Sequence, residues 1–86
     1  MQQSEIMAAI EQKVGNTKYD IWTVGITDDP QRRRTEHDGK GDNTKYWKDW
    51  GADTETIAKD VEKYFLAKGM NGGPGGSEHP SHVYVF

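Results

Sequence analysis

An α+β domain, built from a small and mainly antiparallel β-sheet packed by three α-helices, is the fold this 86-residue sequence predicts. Three observations lead there. Two stretches place apolar residues at helical spacing and stop at a glycine. Two others are dense in aromatic and β-branched residues. Between these, a proline directly behind an aspartate opens a further helix. No repeat or linker divides the chain, so residues 1–86 read as a single domain.

The first element follows from Ile6, Ile10 and Val14, four residues apart with Met7 beside them. They predict a helix over Ser4 to Val14, capped by Ser4 or a neighbour and ended by Gly15. Asn16 to Lys18 is a turn. Tyr19 to Ile26 holds Tyr19, Ile21, Trp22, Thr23, Val24 and Ile26, and reads as a well-buried strand. Asp28 or Asp29 then precedes Pro30, whose fixed φ suits a first helical residue, and the helix runs to about His37. Gly39 to Thr44 is a polar loop. Lys45 to Trp50 supports two readings. Alternation of Tyr46, Lys48 and Trp50 suits a short strand, and the fourfold spacing of Tyr46 and Trp50 suits a helical turn. Asp53 or Thr54 caps a helix ending near Lys68, with the stripe Ile57, Val61, Tyr64 and Phe65 and with Gly69 as its stop. Gly69 to Glu78 carries five glycines and a proline and is an irregular loop; His82 to Phe86 is a closing strand. Two clear strands make a marginal sheet. Either Lys45 to Trp50 supplies a third, or an exposed edge pairs with another chain and makes a homodimer.

Composition narrows the function classes. Hydrophobic residues are 33% of the chain and the mean hydropathy is −0.98, so the core is thin. Three Trp, four Tyr and two Phe supply much of the area it can bury. With no Cys there is no disulfide framework and no thiolate chemistry. No apolar run approaches a membrane span or a signal-peptide core, which predicts a soluble, cytoplasmic domain with no membrane partner. A net charge of −3 argues against a general nucleic-acid binder. The charge is uneven, however. Gln31 to Lys48 holds six basic residues against three acidic ones, a window of +3 on a remainder of −6. Such a patch suits phosphate contact at one defined spot, or a solvated helix face.

The stretch GITDDPQRRRTEH, Gly25 to His37, takes a strand through a glycine into a capped helix that opens with three arginines. Extended to WTVGITDDPQRRRTEH, it resembles the second half of the motif region in GIY-YIG nucleases. AKDVEKYFLAKG resembles that family's later helix, whose glutamate holds a divalent metal. The likeness spans residues 19–68, leaving 1–18 as an N-terminal helical extension and 69–86 as a glycine-rich loop and closing strand. It implies that Gly25 is the motif glycine, that Thr27 and Asp29 form the turn, and that Arg33 is the essential arginine. It further implies that His37 is the histidine closing the helix and that Glu62 is the ligand of Mg²⁺ or Mn²⁺. Thr23-Val24-Gly25 stands where the family has Tyr-Ile-Gly, and an N-terminal helix stands in place of the Gly-Ile-Tyr strand. Tyr19, upstream on the same strand, is the candidate catalytic phenol; Tyr84 on the last strand is a second.

Two function classes follow. In the first, the chain is a metal-dependent DNA endonuclease or a DNA-processing relative. Phosphodiester hydrolysis needs a metal on the phosphoryl oxygen, a cation for the developing charge and a base for the attacking water. Arg33 offers a bidentate fork, Glu62 one carboxylate of a Mg²⁺ shell, and Arg32, Arg34 and Lys45 position phosphate. In the second, the chain keeps a nuclease-like scaffold without the reaction and binds nucleic acid or a protein. The missing motif tyrosines and the acidic balance favour the second class and the Arg33–Glu62 pair the first; the alternative to a metal-holding Glu62 is a surface residue paired with Lys59 or Lys63. Three further features carry weaker signals. His79 and His82 could join His37 at a metal but lack a carboxylate at standard spacing. The run GMNGGPGGSEHP could be a lid over Arg33 and Glu62. Trp47 and Trp50 could stack on bases, although core packing explains tryptophans in so aliphatic-poor a chain.

Overall fold

The structure, a computed structural model, describes residues 1–72 and 79–86. Helix α1 spans Gln3–Val14. Its N-cap is Gln2, two residues ahead of Ser4, and the Gln2 backbone N–H donates to Glu5 Oε1 at 2.9 Å and closes the first turn there. Its Ile6, Ile10 and Val14 are buried, as their spacing predicts.

The segment predicted as one strand from Tyr19 divides. Tyr19–Ile21 forms a 3₁₀ turn closed by the Trp22 N–H on the Tyr19 carbonyl, and strand β1 is Thr23–Thr27. Asp20 interrupts the apolar run, and Ile21 stays exposed. Trp22 turns inward instead, its indole N–H donating to Thr17 Oγ1 at 2.8 Å. Helix α2 is Pro30–Gly39, with Asp29 as N-cap. Lys48–Gly51 resolves the ambiguous stretch as strand β2. Helix α3, Glu55–Ala67, starts where the Thr54 hydroxyl accepts the Ile57 N–H at 3.1 Å. A two-residue strand β3, Asn71–Gly72, lies in what the sequence predicts as loop, and β4 is His82–Val85.

The four strands form one sheet in the order β2-β4-β1-β3. Pairing is antiparallel between β1 and β4 and between β2 and β4, and parallel between β1 and β3. The fold is therefore α+β with three helices and a mixed, mostly antiparallel sheet. The chain itself supplies the third strand that the sheet needs.

Alternation along the strands gives the sheet two different faces. Val24, Ile26, Val83 and Val85 share one face and join Ile6, Ile10, Val14, Ala58, Val61 and Phe65 in the core. Helices α1 and α3 cover that side. The opposite face presents Gly25, Thr27, Tyr84 and Asp49, and α2 packs there through His37, its one fully enclosed side chain. Helix α2 brings its candidate residues to this second face, whereas Glu62 is carried by α3 and Tyr19 packs against the core. Among the described residues no helix is long and apolar enough to cross a membrane.

Candidate functional site

Gly25 and Tyr84 stand opposite each other on neighbouring antiparallel strands. The Tyr84 side chain lies across Gly25 so closely that a Cβ there would fall 2.3 Å from both Cζ and the hydroxyl. Only a residue without a side chain lets the phenol cross β1 to reach α2. On α2 it meets His37, whose Nε2 is 3.0 Å from the Tyr84 hydroxyl. The other ring nitrogen, Nδ1, is 2.7 Å from Asp42 Oδ2, in the loop after the helix. The Trp47 indole stacks on Tyr84, centroids 4.4 Å apart and planes 9° apart, and Phe86 continues the stack. Trp47 is itself fixed by its indole N–H on Asp49 Oδ2 at 2.8 Å. His37 and Tyr84 are each only 1% exposed.

The turn into α2 is built by the two residues that the motif comparison singled out. Buried Thr27 accepts the Asp29 N–H on its hydroxyl at 3.1 Å. Asp29 Oδ1 in turn accepts the Arg32 N–H at 3.0 Å. This double fixation aims the first turns of α2 along the Tyr84 face. Arg33 is the least exposed of the three arginines, at 11%, and pairs with Glu36 at 3.6 Å. Arg32 points outward into pairs with Asp28 and Glu36. Arg34 donates to the Thr44 carbonyl, and Lys45 stands over the exposed Tyr46 ring.

Electrostatics tie the candidates together. Burial pushes the Tyr84 phenol up to about 12; the Arg33 charge acts to lower it, and Glu62, Glu36 and Asp42 act to raise it. Arg33 and Glu62 thus both lie within electrostatic reach of one phenol. Glu62 is half-buried on α3, and burial raises its carboxyl above the ordinary range. It forms none of the ion pairs of the described residues, so the expected alternative of a Lys59 or Lys63 partner is not what the structure shows.

Other candidates fall elsewhere. Tyr19 belongs to the 3₁₀ turn, where its ring packs 6.1 Å from Phe65 and extends the core. The phenol on the Arg33 face is Tyr84. His79 pairs with Glu55 and His82 with Ser81, and neither joins His37. Among the described residues no three His, Cys, Asp or Glu side chains are grouped to hold a metal. Trp50 is half-buried against the core. The lid expected of the glycine-rich run rests on residues 73–78, which lie outside the described residues. In the sequence Asp42 has no signal as a site residue, because only the path of the loop after α2 brings it to His37; Trp47 reads there as a base-stacking ring, and its stack on Tyr84 depends on the long-range arrangement of the closed chain. Comparison with known proteins returns no matching family model, no matching curated protein and no matching solved structure.

Proposed function

We propose that the chain is a GIY-YIG-like, divalent-metal-dependent DNA endonuclease or a DNA-processing relative, with its site on the Tyr84 face of the sheet. What supports this reading is that the charges of Arg33 and Glu62 both act on one phenol, which is itself hydrogen-bonded to His37. Arg33 would hold a phosphoryl oxygen and take up its developing charge. Glu62 would hold Mg²⁺ or Mn²⁺, an assignment that fits a half-buried carboxylate with no ion pair among the described residues. One carboxylate suffices where phosphate and waters complete the shell, and the ion supplies polarisation of the phosphoryl group. Tyr84 takes the place of Tyr19 as the catalytic phenol, because its strand lies beside Thr23-Val24-Gly25. Arg32, Arg34 and Lys45 would position the flanking phosphates.

A second reading is favoured by one observation. Tyr84 and His37 are enclosed, so a substrate reaches the phenol only after covering side chains move. A scaffold that only binds nucleic acid or protein needs no such opening. It would use the hollow lined by Ile21, Trp22, Asn43, Tyr46 and Phe86. Nicking of supercoiled plasmid with Mg²⁺ or Mn²⁺ separates the two readings. Cleavage by the wild type, lost in both Arg33→Ala and Glu62→Ala, supports the nuclease. No cleavage, or cleavage surviving both changes, supports the binding scaffold.

A further inference from the structure

Ile21 and Tyr46 are the most exposed large apolar side chains among the described residues, at 67% and 55%. Both line one hollow of about 330 Å³, together with Trp22, Thr23, Asn43 and Phe86. That size lies at the small end of ligand pockets and gives room for one flat ring system. Its walls are set in advance. The Trp22 indole is tied to Thr17, and Phe86 exchanges two backbone hydrogen bonds with Thr23, at 2.7 and 3.0 Å. The loop that carries Asn43 and Tyr46 is fixed to α2 by Arg34 on the Thr44 carbonyl and by the Thr44 hydroxyl on Asp38.

The rim of the hollow selects its occupant. Asn43 Oδ1 accepts the Lys45 N–H at 3.1 Å, which leaves the amide NH₂ to donate to a ligand edge. The Lys45 ammonium stands 5.5 Å from the Tyr46 ring centroid, and the Arg34 guanidinium lies at the neighbouring Thr44 carbonyl. Two cations therefore border an aromatic hollow. An apolar side chain of a protein partner would use the rings and leave the amide and the cations idle. A nucleotide uses all three, because its base stacks, its base edge accepts a hydrogen bond and its phosphate takes a cation. We propose that this hollow seats one unpaired base of a DNA strand, stacked on Tyr46, with Asn43 at its edge and its phosphate on Lys45. The proposal rests on the reading of DNA as the partner given above. Phe86 lines the hollow and stacks with Trp47 and Tyr84, so a seated base lies beside the Tyr84 face. The substrate class becomes DNA with unpaired nucleotides, a single strand, flap or overhang, in place of a fully paired duplex.

Anisotropy titrations of the full chain at one salt concentration test this with three probes: a blunt duplex, the same duplex with a short 3′ overhang, and that overhang with its bases removed. The overhang should bind about five- to tenfold tighter than either of the others, the low end of what one base stacked on an aromatic side chain contributes. Tyr46→Ala should bring that ratio close to one, and Tyr46→Phe should keep it. The Tyr46 side chain is exposed, so folding tolerates both changes. The Ile21 methyl signals should shift on adding the overhang and stay in place with its abasic form. Equal binding of all three probes, or a preference that survives Tyr46→Ala, overturns the base seat and leaves DNA as the partner. Ile21 methyl signals that move with a short apolar peptide and not with the overhang give the hollow to a protein and overturn it as well. Absence of binding to every probe removes DNA as the partner and the base seat with it.

Discussion

Adding one methyl group at Gly25 tests how the site is held together. A Cβ at 2.3 Å from the Tyr84 ring cannot be absorbed by a small shift, because Trp47 stacks on that ring and His37 meets its end. Gly25→Ala should therefore cost about 1–3 kcal/mol, as overpacking of a well-filled interior does. Combined with Tyr84→Ala it should cost less than the two changes added, because the clash disappears with the ring. Urea midpoints of the four proteins measure this, and simple additivity would sink the account. Two titrations belong to the same scale. The Tyr84 phenol is raised to about 12 from its usual 10, so between those values an unfolded chain ionises while the folded one does not. Stability is thus fully present below pH 10 and is lost as pH rises toward 12, with a total of about 3 kcal/mol for a two-unit shift. Tyr84→Phe should remove that alkaline loss from a series of denaturation curves. Glu62 is also raised, so its contribution is present below the ordinary carboxylate range and is lost as pH rises through its folded titration. Glu62→Gln should therefore unfold at a higher temperature than wild type near pH 7, with the advantage gone in acid. A stabilised but inactive Glu62→Gln protein is what a residue kept for its chemistry predicts.

Helix α2 carries most of the candidate residues, yet it buries only His37, so its ends must hold it in place. Asp29 caps it through the Arg32 N–H, and Thr27 fixes Asp29. Asp29→Ala should cost about 1 kcal/mol in stability. It should also reduce nicking more than that loss implies, because the cap sets the direction of Arg33. Activity measured well below the unfolding temperature separates the two effects, and an unchanged rate would assign Asp29 to stability alone. The same helix shows what local sequence can and cannot reveal. Asp29, Pro30 and the glycine before them mark its start, and Thr54 with the Ile57, Val61 and Phe65 stripe marks α3, because caps and periodicity act within a few residues. The strand breaking at Trp22 is less visible, since Tyr19 and Ile21 have strand-like side chains but sit in a turn. Tyr84 facing Gly25 has no local signature at all. It depends on pairing between strands β1 and β4, which lie far apart in sequence, and no spacing rule connects residues at that separation. For that reason Tyr19, nearer in sequence, stands ahead of Tyr84 as the phenol, Trp47 reads as a base-stacking ring, and Asp42 draws no attention.

Across the whole molecule the last strand is central: β4 lies between β1 and β2, and it brings Tyr84 to α2. The Arg33 face therefore exists only once the chain has closed, and the charge distribution must be judged on the closed form. The protein carries −3 overall, with its positive window folded onto α2, the following loop and β2. Within that window Arg32 is already opposed by Asp28 and Glu36, and Arg34 is directed to the Thr44 carbonyl. A general DNA-coating surface is not what such an arrangement makes, but a contact with a few phosphates is. Each phosphate neutralised on duplex DNA releases counterions and contributes about −0.9 to the slope of log affinity against log salt. If Arg32, Arg34 and Lys45 each meet a phosphate, the slope for a short duplex should be about −2 to −3. Lys45→Gln and Arg34→Gln should each shallow it by about one. Arg32→Gln should change it less, because its charge is shared with two carboxylates before DNA arrives. Anisotropy titrations at several salt concentrations read this directly. A slope near zero, or one indifferent to all three substitutions, would remove DNA as the partner of this face and leave the hollow beside Tyr46 and Phe86 as the surface to probe with protein partners.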